Sequence, residues 1–182
     1  VGMDLGLENK FALITGGSHG IGLSTAQALA DEGCNVAICA RSEDRVREAV
    51  SDLKARKVDV IGIQADVLIP EDIERVMSDV IGAWGTVHIL VNNVGGGGRW
   101  GSPDVQETPE QVWIDVYNKN AMAAVRFTRL ALPYMREQKW GRVVTVASVF
   151  GREAGGRTGG FRTGAVHPGQ SRVEPAAATQ KA

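Results

Sequence analysis

The stretch that decides the fold is Thr15-Gly16-Gly17-Ser18-His19-Gly20-Ile21-Gly22, close to the start of the 182-residue sequence. It follows Phe11-Ala12-Leu13-Ile14, a short apolar run typical of a buried strand. It leads into a segment whose apolar residues have helical spacing as far as Glu32. A glycine-rich turn between a strand and a helix favours phosphate binding, because the first N–H groups and the positive dipole end of the helix face the ligand. We therefore predict that this loop holds the pyrophosphate of a dinucleotide.

The three glycines at the turn spacing have different expected roles. Gly16 permits the tight turn, Gly20 lets the backbone approach a ligand, and Gly22 allows close packing of helix on strand. The alternative is a glycine-rich turn that binds nothing. Its position directly after the first strand favours the phosphate loop over that alternative.

The pattern of a buried strand followed by a helix repeats along the chain. Strands are predicted at residues 11–14, 36–40, 58–66, 88–92 and 141–148, and helices at 22–32, 42–56, 70–81 and, as two helices, 109–138. This alternation predicts an α/β fold, a Rossmann-like doubly wound parallel sheet in three α/β/α layers.

The spacing Thr-Gly-x-x-x-Gly-x-Gly resembles that of the short-chain dehydrogenase/reductase family. Four further motifs fall where that family places them: Asp66-Val67 at the close of the third strand, Asn92-Asn93-Val94-Gly95 after the fourth, Asn120 with Pro133 thirteen residues later, and Ser148 at the end of the fifth strand. The resemblance covers about residues 7–157. It implies that the cofactor is bound by Thr15, Gly16, Ser18, His19, Gly20, Ile21, Gly22, Arg41, Asp66, Val67, Asn93 and Gly95.

The choice between the two nicotinamide cofactors lies just after the second strand, at Ala40-Arg41-Ser42. A carboxylate there would bind the ribose 2′-hydroxyl of NAD, whereas a cation would bind the 2′-phosphate of NADP. Ala40 stands where the family's NAD-selecting Asp would be, and Arg41 offers a planar fork of donors. His19 can add positive charge. NADP is therefore favoured over NAD, the alternative being that Arg41 is a solvated surface residue.

The resemblance implies hydride transfer between the nicotinamide and a ketone or secondary alcohol. Ser148 and Asn120 are the candidates for the family's substrate-orienting Ser and supporting Asn. The alternatives are a hydroxyl that closes a strand and an Asn that bonds to helix backbone. The family's proton-transferring Tyr and its Lys four residues later would fall at Phe161 and Ala165, neither of which can replace them.

Two explanations of this departure stay open: loss of a segment between about Arg157 and Val166, or a reading frame altered after Arg157, which we favour. We predict an NAD(P)-binding domain over 1–157, C-terminally truncated, with an irregular or disordered tail over 158–182. The expected function is that of an NADP-dependent oxidoreductase by lineage, similar to 3-oxoacyl-acyl-carrier-protein reductases or to sugar and steroid dehydrogenases. The alternative is an inactive NADP-binding remnant or scaffold.

Composition narrows the expected partners. A formal net charge of −1 without a Lys/Arg cluster disfavours nucleic acid, and the longest apolar runs are too short to span a membrane. Cys34 and Cys39 lie in or beside one apolar run and are predicted to be buried thiols, not a disulfide or a metal site. We expect a cytoplasmic protein with a small-molecule substrate and no metal. A homo-oligomer is possible, although one helix of the family's usual interface is missing.

Overall fold

A computed structural model of the chain describes residues 5–95 and 107–148, and five strands alternate with helices along these ranges. The strands are β1 (Phe11–Thr15), β2 (Asn35–Ala40), β3 (Val60–Gln64), β4 (Ile89–Asn92) and β5 (Arg142–Thr145). The helices are α1 (Gly20–Asp31), α2 (Glu43–Lys54), α3 (Pro70–Trp84), α4 (Glu110–Tyr117) and α5 (Ala123–Glu137), and the π-helical segment Asn118–Met122 joins α4 to α5.

All five strands are parallel, in the order β3-β2-β1-β4-β5. In the central strand β1, Ile14 pairs with Ile38 of β2 on one side and with Val91 of β4 on the other. The chain adds strands on one side of β1 as far as β3 and then continues on the other side with β4. Such a reversal opens a crevice at the carboxyl ends of β1 and β4, where open α/β sheets bind ligands.

Helices cover both faces of the sheet because successive strand residues point to opposite sides. Ala12 and Ile14 pack with residues of α1 and α2, whereas Leu13 packs with residues of α3 and α5, and all three are fully buried. Each face thus has its own apolar layer, which explains why the inner strands are apolar except at their ends. The predicted Rossmann-like three-layer α/β fold is confirmed.

The structure differs from the sequence prediction mainly at element ends. β5 is four residues long and not eight, and its Val144 is 51% exposed at the edge of the sheet. The third helix continues to Trp84 and ends at Gly85, whose φ of 74° stops the helix in the left-handed conformation. The predicted pair of helices over 109–138 is interrupted by the π-helical segment, which sequence periodicity does not indicate.

Several expectations concern residues outside the described ranges. They include the domain boundary between 157 and 158, the tail over 158–182, and Phe161 and Ala165. All the helices and strands of the described ranges belong to one compact unit, Val1–Val146. Of the described helices, none combines the length and the apolar character needed to cross a bilayer.

Candidate functional site

A cleft of about 390 Å³ lies at the carboxyl ends of β1, β2, β3 and β4, where the strand order reverses. This volume is within the range of small-molecule and cofactor sites. The wall is formed by Gly16, Ser18, His19, Gly20, Ile21, Ala40, Arg41, Ser42, Arg45, Ala65, Asp66, Val67, Leu68, Asn93, Val94, Gly95 and Lys119. Ten of the twelve residues predicted to bind the cofactor are thus on one wall. Thr15 and Gly22 are the other two.

The glycine-rich turn presents open backbone to this cleft. Gly16 and Gly20 adopt φ angles of 66° and 55°, and no atom lies within 4 Å of the position that a Gly20 side chain would occupy. His19 is the N-cap residue of α1, and within the described part of the chain its side chain makes no capping hydrogen bond to the first turn of the helix. The first N–H groups of α1 therefore have no partner from a capping side chain and are available to an anion.

Gly22 and Thr15 lie behind the wall, where they hold the turn in place. A methyl group on Gly22 would collide with the carbonyl oxygen of Gly16 and with Nδ2 of Asn93. Asn93 donates from that Nδ2 to the carbonyl oxygens of Thr15 and Gly16, at 3.0 and 3.2 Å. The Thr15 hydroxyl accepts from the backbone N–H groups of Asn93 and Val94, at 3.0 and 3.2 Å. These bonds tie the loop after β1 to the loop after β4.

The side of the cleft after β3 is fixed by a turn that begins at Asp66. The Asp66 carboxylate accepts from the N–H of Leu68 at 3.0 Å, and the Asp66 N–H donates to the Asp72 carboxylate at 2.8 Å. Arg75 donates to the other oxygen of Asp72 at 2.7 Å. The bond from the Asp66 N–H, followed by the one from Arg75, lowers the pKa of Asp72. The Asp66 turn is therefore held by an ionised carboxylate.

The end of the cleft after β2 is positively charged. Arg41 and Arg45 both lie on the wall, on either side of Ser42, whose hydroxyl accepts from the Arg45 N–H at 3.4 Å and caps α2. Gln64 donates to the Arg41 carbonyl oxygen at 3.2 Å, which links this loop to the end of β3. Ala40, at the end of β2, supplies no carboxylate. The chemistry of this end suits an anion.

Asn120 lies in the π-helical segment beside the loop after β4. Its Nδ2 donates to the carbonyl oxygen of Val116 at 2.7 Å, and its Oδ1 would be 3.2 Å from a side chain placed on Gly95. The carboxamide is thus next to the cleft wall at Gly95. Ser148 comes three residues after the end of β5. Catalytic roles for Asn120 and Ser148 stay predictions.

The cleft wall also contains two charged residues that the family motifs in the sequence do not indicate, Arg45 and Lys119. Arg45 could have been found, because it lies in the first turn of a helix whose start faces the cleft. Lys119 directly precedes Asn120, but its direction depends on the π-helical segment. The local periodicity of 3.6 residues gives no sign of that segment.

Comparison with known proteins agrees with this geometry. The family model for the short chain dehydrogenase matches residues 10–161. The chain is similar to a putative ketoacyl reductase of Streptomyces coelicolor, with 34% identity over 148 residues that cover 80% of this chain and 56% of the relative. It is also similar to the 3-oxoacyl-acyl-carrier-protein reductase of Staphylococcus epidermidis, with 35% identity over 144 residues that cover 79% and 58%. The chain thus spans a little over half the length of these relatives.

The chain is also similar to solved structures. The L-sorbose reductase of Gluconobacter frateurii, in complex with NADPH and L-sorbose, shares 37% identity with a TM-score of 0.76, over 81% of this chain and 56% of that chain. A NAD+-bound xylitol dehydrogenase shares 27% identity with a TM-score of 0.75, over 82% and 56%. The family match, the parallel sheet and the glycine-rich cleft agree, and the chain therefore belongs to the short-chain dehydrogenase/reductase family.

Proposed function

We propose that this chain is the cofactor-binding part of an NADP-dependent oxidoreductase that acts on a ketone or a secondary alcohol. The observation that carries the choice of NADP is the replacement of a carboxylate at the end of β2 by Ala40, with Arg41 next to it on the cleft wall. A ribose 2′-phosphate carries close to two negative charges at neutral pH, and a guanidinium binds phosphate through paired donors.

The residues of the cleft fit a dinucleotide. The open space beside Gly20 and the N–H groups at the start of α1 suit the diphosphate, and the rigid turn at Asp66 suits the adenine. Asn93 braces the loops on both sides. When bound, NADPH supplies the hydride that reduces a carbonyl carbon. A carbonyl substrate is supported by relatives named as ketoacyl and L-sorbose reductases.

A second candidate function is NADP binding without turnover, and a sequence observation favours it. The positions at the family interval for the catalytic Tyr and Lys are Phe161 and Ala165, and the two tyrosines, Tyr117 and Tyr134, are followed four residues later by Ala121 and Gln138. No Tyr-x-x-x-Lys pattern therefore occurs in the 182 residues. Oxidation of NADPH by this chain in the presence of 3-oxoacyl thioesters or ketoses supports the enzyme, whereas binding without oxidation supports the second candidate.

The choice of cofactor is tested by fluorescence titration of NADPH and NADH against the wild-type chain, Arg41→Met and Arg47→Met. Loss of a charged hydrogen-bond partner of a phosphate costs about 1.5–3 kcal/mol, so Arg41→Met should weaken NADPH binding at least about tenfold and leave NADH binding unchanged. Arg47 is the matched control, because it pairs with Glu43 and Asp44 and is 69% exposed. Equal affinity of the wild type for NADPH and NADH would refute the proposal.

Reduced thiols support the expected cytoplasmic location. Cys34 and Cys39 are both free and buried, as the sequence predicted. Buried free thiols suit a reducing compartment. Fractionation of the source cells tests this location.

A further inference from the structure

The part of the cleft near Arg41, where we place the adenosine of the cofactor, has more positive charge than Arg41 alone supplies. Three basic side chains lie on its wall: Arg41 after β2, Arg45 in α2 and Lys119 in the π-helical segment. Asp66 is the one acidic residue among the described residues of that wall, and its carboxylate already accepts a backbone N–H. The described residues of this wall therefore include more cationic side chains than carboxylates.

The arginines of this region differ in how they are neutralised. Arg47, one turn of α2 away from Glu43, pairs with Glu43 at 3.2 Å and with Asp44 at 3.4 Å. Within residues 5–95 and 107–148, no salt bridge joins Arg41 or Arg45 to a carboxylate. The acidic residues in the first turn of α2 thus pair with Arg47, whereas Arg45 lies on the cleft wall.

Lys119 brings a cation to the same cleft from a separate part of the fold. It is partly buried, and burial together with the nearby charge of Arg41 lowers the pKa of its ammonium group, whereas Asp66 acts in the opposite direction. Lys119 lies on the same cleft wall as both of these residues. An anion between Lys119 and Arg41 would relieve the repulsion between the two cations.

We propose that Arg45 and Lys119, together with Arg41, form a three-cation clamp that selects a phosphate on the ribose 2′-position. This inference rests on the proposed function, since it requires that the cleft binds a dinucleotide. A single guanidinium leaves part of the charge of a phosphate dianion uncompensated, whereas cations from three elements can surround it. Arg45 and Lys119 are thus specificity-determining residues for the cofactor.

The test measures Kd for NADPH and for NADH by fluorescence titration of the full chain carrying Lys119→Met or Arg45→Met. Lys54→Met and Arg47→Met are matched controls, because they remove the same side chains from exposed positions outside the cleft wall. Each clamp variant should lower the preference for NADPH over NADH about tenfold, as expected for loss of a charged phosphate contact. NADH affinity should change less than twofold, and Lys119→Arg should retain the preference.

The outcomes separate the clamp from the proposed function. A wild-type preference for NADPH that Lys119→Met or Arg45→Met leaves unchanged overturns the clamp and leaves Arg41 as the selecting residue. Equal weakening of NADPH and NADH also overturns it, because the residue would then bind a part that both cofactors share. A wild-type chain without preference refutes the proposed use of NADP. Near-UV circular dichroism of each variant shows whether it is folded.

Discussion

Replacing Gly22 by Ala tests whether the glycine-rich turn is braced from behind in the way that the structure describes. The new methyl group would overlap the Gly16 carbonyl oxygen and the Asn93 side-chain nitrogen. Insertion of a methyl group into a packed site costs about 1–3 kcal/mol. Displacement of Asn93 would also break its bonds to Thr15 and Gly16, each worth about 0.5–1.5 kcal/mol.

Helix propensity alone predicts the opposite effect of Gly22→Ala on the free energy of unfolding, namely an increase. Ala is favoured over Gly by about 1 kcal/mol in a helix interior, so a Gly22 without close neighbours would be improved by the substitution. After this gain is subtracted, the free energy of unfolding should fall by about 1–5 kcal/mol.

Urea unfolding of the full chain, followed by tryptophan fluorescence, measures this change. Gly82→Ala is the control, because Gly82 lies in α3 with no atom within 4 Å of its would-be side chain, and it should stabilise the chain by about 1 kcal/mol. A Gly22→Ala chain as stable as the wild type, with a normal response of Gly82→Ala, would refute the packing described for the turn.

Two further predictions concern one partly buried histidine and the two buried cysteines. His88 accepts the Phe11 N–H on Nδ1 at 3.2 Å, and burial, followed by the charge of Lys10, lowers its pKa from 6.5. Because the unfolded chain binds the proton more readily, the free energy of unfolding should fall as the pH drops from 7 towards 5. The His88→Gln variant should lose less of its free energy of unfolding over the same range. Equal pH profiles of the two chains in urea unfolding would contradict this prediction. Burial raises the pKa of Cys34 to about 11 and that of Cys39 to about 12. Both thiols should therefore react with a disulfide reagent at pH 8 far more slowly in the native chain than in denaturant, and equal rates would show that they are accessible.

The order of strands and helices could be predicted from the sequence because the inner strands are buried on both faces. Such strands are continuous apolar runs, and the glycine-rich turn marks where the first one ends. The positions of Arg41 and Asp66 on the cleft also follow from the sequence, since Arg41 directly follows one predicted strand and Asp66 is the last residue of another. Parallel strands bring these ends to one edge of the sheet.

Other features depend on contacts that no local pattern reports. The brace formed by Asn93 and Gly22 joins residues more than seventy positions apart, so only the folded chain reveals it. The π-helical segment Asn118–Met122 is a departure from the usual helical period, and Lys119 lines the cleft from within it. Element ends also depend on tertiary packing, as the short β5 shows.

The central claim is that the cleft binds NADPH through the glycine-rich turn and Arg41. A crystal structure of the chain grown with NADPH tests this claim most directly. The claim predicts the diphosphate on the N–H groups of Gly20 and Ile21 at the start of α1. It also predicts the 2′-phosphate within hydrogen-bonding distance of the Arg41 guanidinium. A cleft that stays without NADPH at saturating concentration, or a diphosphate bound away from this turn, would contradict it.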